Sequence, residues 1–263
     1  MIIERKINRR EAITYLAGSI VSTQNYIDNR YEPKEQLEQR SFEVVSITFH
    51  EVANSDQMLQ IIYPLLNEGY IPISIRDVLK AINNQVDLSK TKSLLITLDD
   101  GLKSQKNAVL AATQAEKSWG VTLPLLFAVM TQFNYYNDDQ IPLHTPSYND
   151  HVHEYLTKKD ILQIIENPSF DLANHTLNHA DLTKLNDDDL IGELTIAQRR
   201  LSILYSEAGR QNTPRILIYP FGKYNQHVLQ TVSDLDFEAA FTTKNDTLYS
   251  AKKRLRLGRI GKT

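Results

Sequence analysis

The 263 residues contain no cysteine, which excludes disulfides, thiolate metal sites and cysteine nucleophiles. Any metal ion bound by this chain must therefore be held by His, Asp or Glu. The compartment stays open, because exported proteins need not contain disulfides. Neither sign of charge is in strong excess: the formal net charge is -3 and the pI about 6.2. No basic stripe is available to neutralise a phosphate backbone, so nucleic acid is not an expected partner. The one dense basic run, Lys252-Lys253-Arg254-Leu255-Arg256, is short and reads as a solvated edge. Long apolar runs are also missing. The ten residues 12–21 (AITYLAGSIV) are too short to span a bilayer, so no stable transmembrane span is expected.

What is present is an ordinary globular composition, 41% hydrophobic and 23% charged, in a length that suits one large domain. The N-terminus stands apart. Arg5, Lys6, Arg9 and Arg10 precede the 12–21 stretch, the layout of a positively charged region followed by the apolar region of an export leader. The adjacent Arg9-Arg10 hints at twin-arginine export, and a short helix packed on the domain is the alternative. Residues 24–40 are polar and read as a linker. These observations divide the chain into a leader-like segment and linker at 1–40 and a domain at 41–263. They make a periplasmic, cell-surface or secreted location the expectation, with a cytoplasmic one as the alternative.

From Ser41 onward no repeat interrupts an alternation of short apolar runs with amphipathic stretches. Strands are expected at 43–49, 71–75, 93–98, 122–129, 170–173, 215–219 and 238–242. Helices are expected at 56–68, 75–82, 103–119, 158–166, 187–207 and 225–234. Near-continuous apolar strands between helices require a parallel sheet covered on both faces. Seven such units suggest an α/β fold of the closed or nearly closed (β/α) barrel type, whose chemistry sits beyond the C-terminal ends of the strands. Polar groups fall at those ends: His50-Glu51, Asp99-Asp100-Gly101, His175, and Pro220-Phe221-Gly222. Residues 131–155 lack periodicity and read as a long loop over the same rim.

Two adjacent carboxylates leaving a strand point in different directions, so Asp99 and Asp100 can serve one metal and one water, although an Asp-Gly turn needs no chemistry. His175 and His179 are four apart, which on a helical turn puts both rings on one face, as also happens by chance on exposed helices. Joined to a carboxylate from another strand end, they make the three protein ligands of an open catalytic site. Zn2+ suits this donor set best, with Co2+, Ni2+ or Mn2+ possible by ligand type. His151-Val152-His153 is the competing pair, with a solvated loop as its plainer reading. His50 is a lone His at a strand end, and His144 and His227 have no supporting context.

TLDDG (97–101), HTLNH (175–179) and YPFG (219–222), in this order, resemble the leading motifs of the NodB-homology polysaccharide deacetylases, carbohydrate esterase family 4. The opening ITFHE and the YPFG form look most like the branch acting on poly-β-1,6-N-acetylglucosamine of biofilm matrices. The resemblance implies a distorted (β/α)7 barrel and metal-dependent removal of acetyl groups from N-acetylglucosamine residues of a polysaccharide. It makes Asp99 the general base and Asp100, His175 and His179 the ligands of one divalent ion. Tyr219, Pro220 and Phe221 would line the oxyanion and substrate site. Ile218 stands where many members carry an Arg beside the catalytic carboxylate, and Arg259 is the candidate to replace it. No Leu-x-His element follows to supply the general acid, which leaves His50 as the candidate. Tyr135, Tyr136, Tyr148 and Tyr155 are candidates to stack on sugar rings. Two other readings are a metal-dependent amidohydrolase of a small molecule using His151 and His153, and a catalytically inactive glycan-binding or adhesion protein. Oligomeric state is not readable from the sequence.

Overall fold

The segment SLLITL forms strand β3 (Ser93–Leu98), and every one of its residues is buried, as a strand covered on both faces requires. The same holds for β4 (Leu125–Val129), β5 (Phe170–Asn174), β6 (Ile216–Ile218) and β7 (Ala239–Phe241). With β1 (Ser41–Phe49) they run side by side in the order β7-β6-β5-β4-β3-β1, all parallel. The short β2 (Ile71–Pro72) pairs with the start of β3. The computed structural model describes residues 41–134 and 155–261. The leader-like segment and linker, His144, His151, His153, Tyr135, Tyr136 and Tyr148 lie outside the described residues.

Successive side chains of a strand take opposite faces, and the core divides accordingly. Ile47, Phe49, Ile96, Leu98, Phe127 and Val129 pack outward against α1 (Ser55–Asn67), α3 (Lys106–Trp119), α5 (Lys158–Ile165) and α6 (Asp187–Glu207). Val44, Leu95, Leu126, Ala128, Ala173, Ile218 and Phe241 share a second cluster inside the curled sheet, to which α2 (Ile75–Ile82) adds its apolar face. The helix starts are written locally. Ser74 with Asp77 and Thr157 with Asp160 form capping boxes, while Asn186 caps α6 and Asn225 caps α7 (Gln226–Asp234).

The sheet curls into a distorted (β/α) barrel, and its closure depends on residues without a strand signature. Leu257 bridges to Phe241 of β7 and Ile260 pairs with Ile47 of β1, so the run through β9 (Ile260–Gly261) spans the gap between the first and last strands. β8 (Leu248–Ser250) pairs antiparallel with the start of β1. Two or three residues are too few to show a period, so β8 and β9 were not expected. The strand expected at 71–75 is cut to two residues because Ser74 is already the cap of α2. A four-residue helix, α4 (Thr131–Asn134), opens the expected rim loop.

Register fixes what meets at the rim. Phe49 pairs with Leu98, so His50 and Asp99 leave the sheet side by side. Asn174 pairs with both Val129 and Leu217, which brings His175 level with Ile218.

Candidate metal centre

Asp99 and Asp100 leave β3 into different surroundings. Asp99 continues the alternation into the barrel and is 3% exposed. Arg259, itself buried, grips it with both arms: Nη1 to Oδ1 at 2.7 Å and Nη2 to Oδ2 at 2.8 Å. The same guanidinium donates to the Thr97 hydroxyl at 3.0 Å and to the Thr242 carbonyl at 3.2 Å. Burial would raise the Asp99 pKa, but the charge and hydrogen bonds of Arg259 outweigh it and hold the group below the usual carboxylate range. Asp100 turns away on a backbone with φ 73°. Its Oδ1 lies 3.2 Å from His175 Nε2 and 3.4 Å from His179 Nε2. Burial would raise its pKa as well, and the hydrogen bond from His175 with the nearby His179 lowers it on balance.

His175 is the first residue past β5 and is 2% exposed. Its Nδ1 donates to the Ile218 carbonyl at 2.7 Å, which fixes the tautomer and leaves the Nε2 lone pair facing Asp100. His179 arrives by a different route from the one its spacing suggests. Residues 175–179 are not helical: Thr176 has φ 68° and His179 φ 58°, and this turn, rather than a shared helix face, brings the two ring centroids to 4.8 Å. Burial and the neighbouring His175 push the His179 pKa down to about 4.

One ligand atom from each of Asp100, His175 and His179 lies within 4.8 Å of the others. An ionised carboxylate and a neutral imidazole are the protonation states that a metal ligand needs. This donor set fits a divalent ion that takes nitrogen and oxygen ligands and keeps further positions open.

The other candidates fall around this group unequally. His50 is exposed at the rim, and its ring has no hydrogen bond to a described residue, while its carbonyl and that of Asp99 both accept from Gln105 Nε2. Phe221 is 55% exposed, with its ring edge-on to His179 at 4.6 Å and its backbone at φ 58°. Tyr219 is a correction: it is 1% exposed, packs on Tyr224 and donates to the Leu255 carbonyl, so its side chain does not line the rim. Pro220 is also buried, and of this turn Phe221 alone is an exposed large apolar side chain. Tyr155 does not serve as a sugar platform either, because it is buried and stacked on Phe133. His227 lies on α7 and pairs with Asp187.

Around this site Asp100, Thr176, His179 and Phe221 all adopt left-handed conformations. Such strain costs about 1–3 kcal/mol each and persists only where the surroundings over-determine it. Those surroundings include residues the sequence did not single out. Gln105 ties β1 to β3. Asn134, fully buried, accepts from Met130 N and donates to the carbonyls of Gly101 and Leu156, packing so close to Gly101 that no side chain fits there. Glu193 of α6 accepts from the backbone of Leu177 and Asn178. No motif signals such contacts, since they join residues far apart in the chain.

Two His and a carboxylate thus converge at the strand ends of a barrel, beside a buried Asp–Arg pair. The polysaccharide deacetylase family model matches residues 87–240, more than half of the chain, and the protein belongs to that family. Solved structures agree in fold. A polysaccharide deacetylase from Bacillus cereus superposes with a TM-score of 0.65 at 16% identity, over 84% of this chain and 65% of that one. The present chain thus spans about two thirds of that protein's length. A Streptococcus pyogenes deacetylase in complex with acetate gives 0.65 at 21% identity, over 84% and 92%. A de-N-acetylase from Aggregatibacter actinomycetemcomitans gives 0.63 at 16%, over 84% and 94%. A search of curated sequences finds no match. Among the described residues, no helix is long and apolar enough to cross a membrane.

Proposed function

We propose that this protein removes acetyl groups from N-acetylglucosamine residues of a polysaccharide, releasing acetate, with Asp100, His175 and His179 holding one divalent ion. The observation that carries this reading is the convergence of those three ligand atoms beside the Arg259-held carboxylate of Asp99. Zn2+ suits the N2O donor set best. Poly-β-1,6-N-acetylglucosamine is the preferred polymer on the strength of the ITFHE and YPFG sequence forms. The reading includes an exported location, supported by the leader-like pattern of basic residues followed by the apolar stretch 12–21.

A divalent ion held by Asp100, His175 and His179 would polarise the amide carbonyl and lower the pKa of a water towards about 7. Asp99, ionised at neutral pH, accepts a proton from the attacking water. Arg259 keeps that carboxylate aimed and charged. The backbone N–H of Phe221 donates to the developing oxyanion. His50 gives a proton to the nitrogen as the C–N bond breaks, because the amine cannot leave as an anion.

The test is acetate release from an acetylated glucosamine polymer, measured together with bound zinc. Asp99→Asn should retain zinc and lose acetate release, since an amide cannot accept the proton. Asp100→Asn should lose zinc itself. Equal zinc loss in both variants would reject the division of roles, and a folded wild-type protein that binds no divalent ion would end the reading.

A further inference from the structure

We infer that Glu193 is a positioning residue for His179, acting through the turn between the two histidines; the inference rests on the metal reading above. The two rings are held in unlike ways. His175 sits at the end of a strand with its Nδ1 bound to the Ile218 carbonyl. His179 has no such bond. Among the described residues its ring pairs only with Asp100, on the Nε2 that would face the ion, and otherwise packs against the His175 and Phe221 rings. Its aim is therefore set by its backbone, which must hold left-handed conformations at Thr176 and at His179 itself.

Glu193, the seventh residue of α6, holds that backbone with a single carboxylate. Oε2 accepts from the Leu177 and Asn178 N–H groups, each at 2.9 Å, and Oε1 accepts from Asn178 Nδ2 at 2.8 Å. The upstream half of the turn has other anchors: Thr176 N donates to Asn174 Oδ1 at 2.8 Å, and Gln132 N to the Leu177 carbonyl at 2.9 Å. Asn178, which immediately precedes His179, bonds among the described residues to Glu193 alone. The carboxylate in turn forms no salt bridge among them, so its charge goes wholly to these donors. Hydrogen bonds to an ionised acceptor are about twice as strong as neutral ones. Partners that orient metal ligands in this way typically contribute about 10–100-fold in metal affinity.

The experiment titrates zinc into metal-free wild-type, Glu193→Ala and Glu193→Gln proteins by calorimetry, with the absorption spectrum of the Co2+-loaded forms alongside. Glu193→Ala should bind zinc roughly 10- to 100-fold more weakly and shift the Co2+ spectrum. Glu193→Gln keeps a carbonyl oxygen for the two backbone N–H groups and should recover most of the affinity. Saturating zinc should return the turnover of Glu193→Ala towards wild type, which a general loss of folding would not allow. Wild-type affinity with an unchanged spectrum in Glu193→Ala overturns the inference, as does equal loss in both variants. If Glu193→Ala does not fold, the Gln variant decides: near-wild-type zinc affinity supports the inference, and a 10-fold or greater loss overturns it. A wild-type protein that binds no zinc would instead sink the metal reading itself.

Discussion

Asp99 and Asp100 share a peptide bond and differ in nearly everything else. One points into the barrel against a guanidinium, and the other turns out on a left-handed backbone towards two imidazoles. His50 stands beside them with an exposed ring that makes no hydrogen bond among the described residues. This makes its proposed role separable from folding. General acid catalysis contributes about 10²–10⁴-fold, so His50→Ala should lose turnover on that scale while keeping zinc. Hydrolysis of an activated acetyl ester, whose leaving group needs no proton, should be largely spared. Equal loss on amide and ester would assign His50 some other task.

At the scale of elements, the helices that surround the barrel are begun by caps, and one cap also ties two helices together. Asp160, third residue of the α5 capping box, accepts from Thr157 and pairs with Lys106 at 2.5 Å at the start of α3. Burial would raise its pKa, but the bonds from Lys106 and Thr157 prevail and lower it. A carboxylate with a lowered folded-state pKa stabilises the fold above its unfolded pKa of about 3.9, and that contribution disappears as pH falls through the lower folded value. Asp160→Asn should therefore melt below wild type at pH 7. The gap should narrow as pH drops below about 4. Thermal melting across pH 3–7 checks this, and a gap independent of pH would show that the ion pair contributes nothing.

For the whole molecule, the decisive feature is that the barrel is closed by its last residues. The chain from Leu257 to Gly261 bridges β7 and β1, and in doing so carries Arg259 to within 2.7 Å of a carboxylate 160 positions earlier. The segment that closes the sheet also supplies the guanidinium that keeps the proposed base charged. Removing one partner of a buried ion pair typically costs about 3–5 kcal/mol, because the other charge is left unpaired. Arg259→Ala should lose stability on that scale by urea unfolding. Arg259→Lys keeps the charge but not the two-armed grip, so it should recover stability only in part. Both variants should retain zinc binding if Asp99 is not a ligand. Wild-type stability in Arg259→Ala would show that the pair is dispensable.

Apolar strands between amphipathic helices, the caps that start those helices, and the polar groups at the strand ends are all properties of short stretches. SLLITL and the sequence HTLNH could accordingly be read in order along the chain. Hydrophobic period and cap chemistry act within a few residues of their cause. What depends on contacts between distant segments was decided only by the folded chain. The turn that joins His175 to His179 is left-handed rather than helical because Glu193, Asn174 and Gln132 hold it. Tyr219 and Tyr155, which looked like substrate contacts, are buried because α7 and α4 supply them with packing partners. β8 and β9 are strands only because β1 offers them hydrogen-bonding edges. In each case the determining interaction is a hydrogen bond or a packed surface that exists only once the sheet has curled, and no local pattern encodes it.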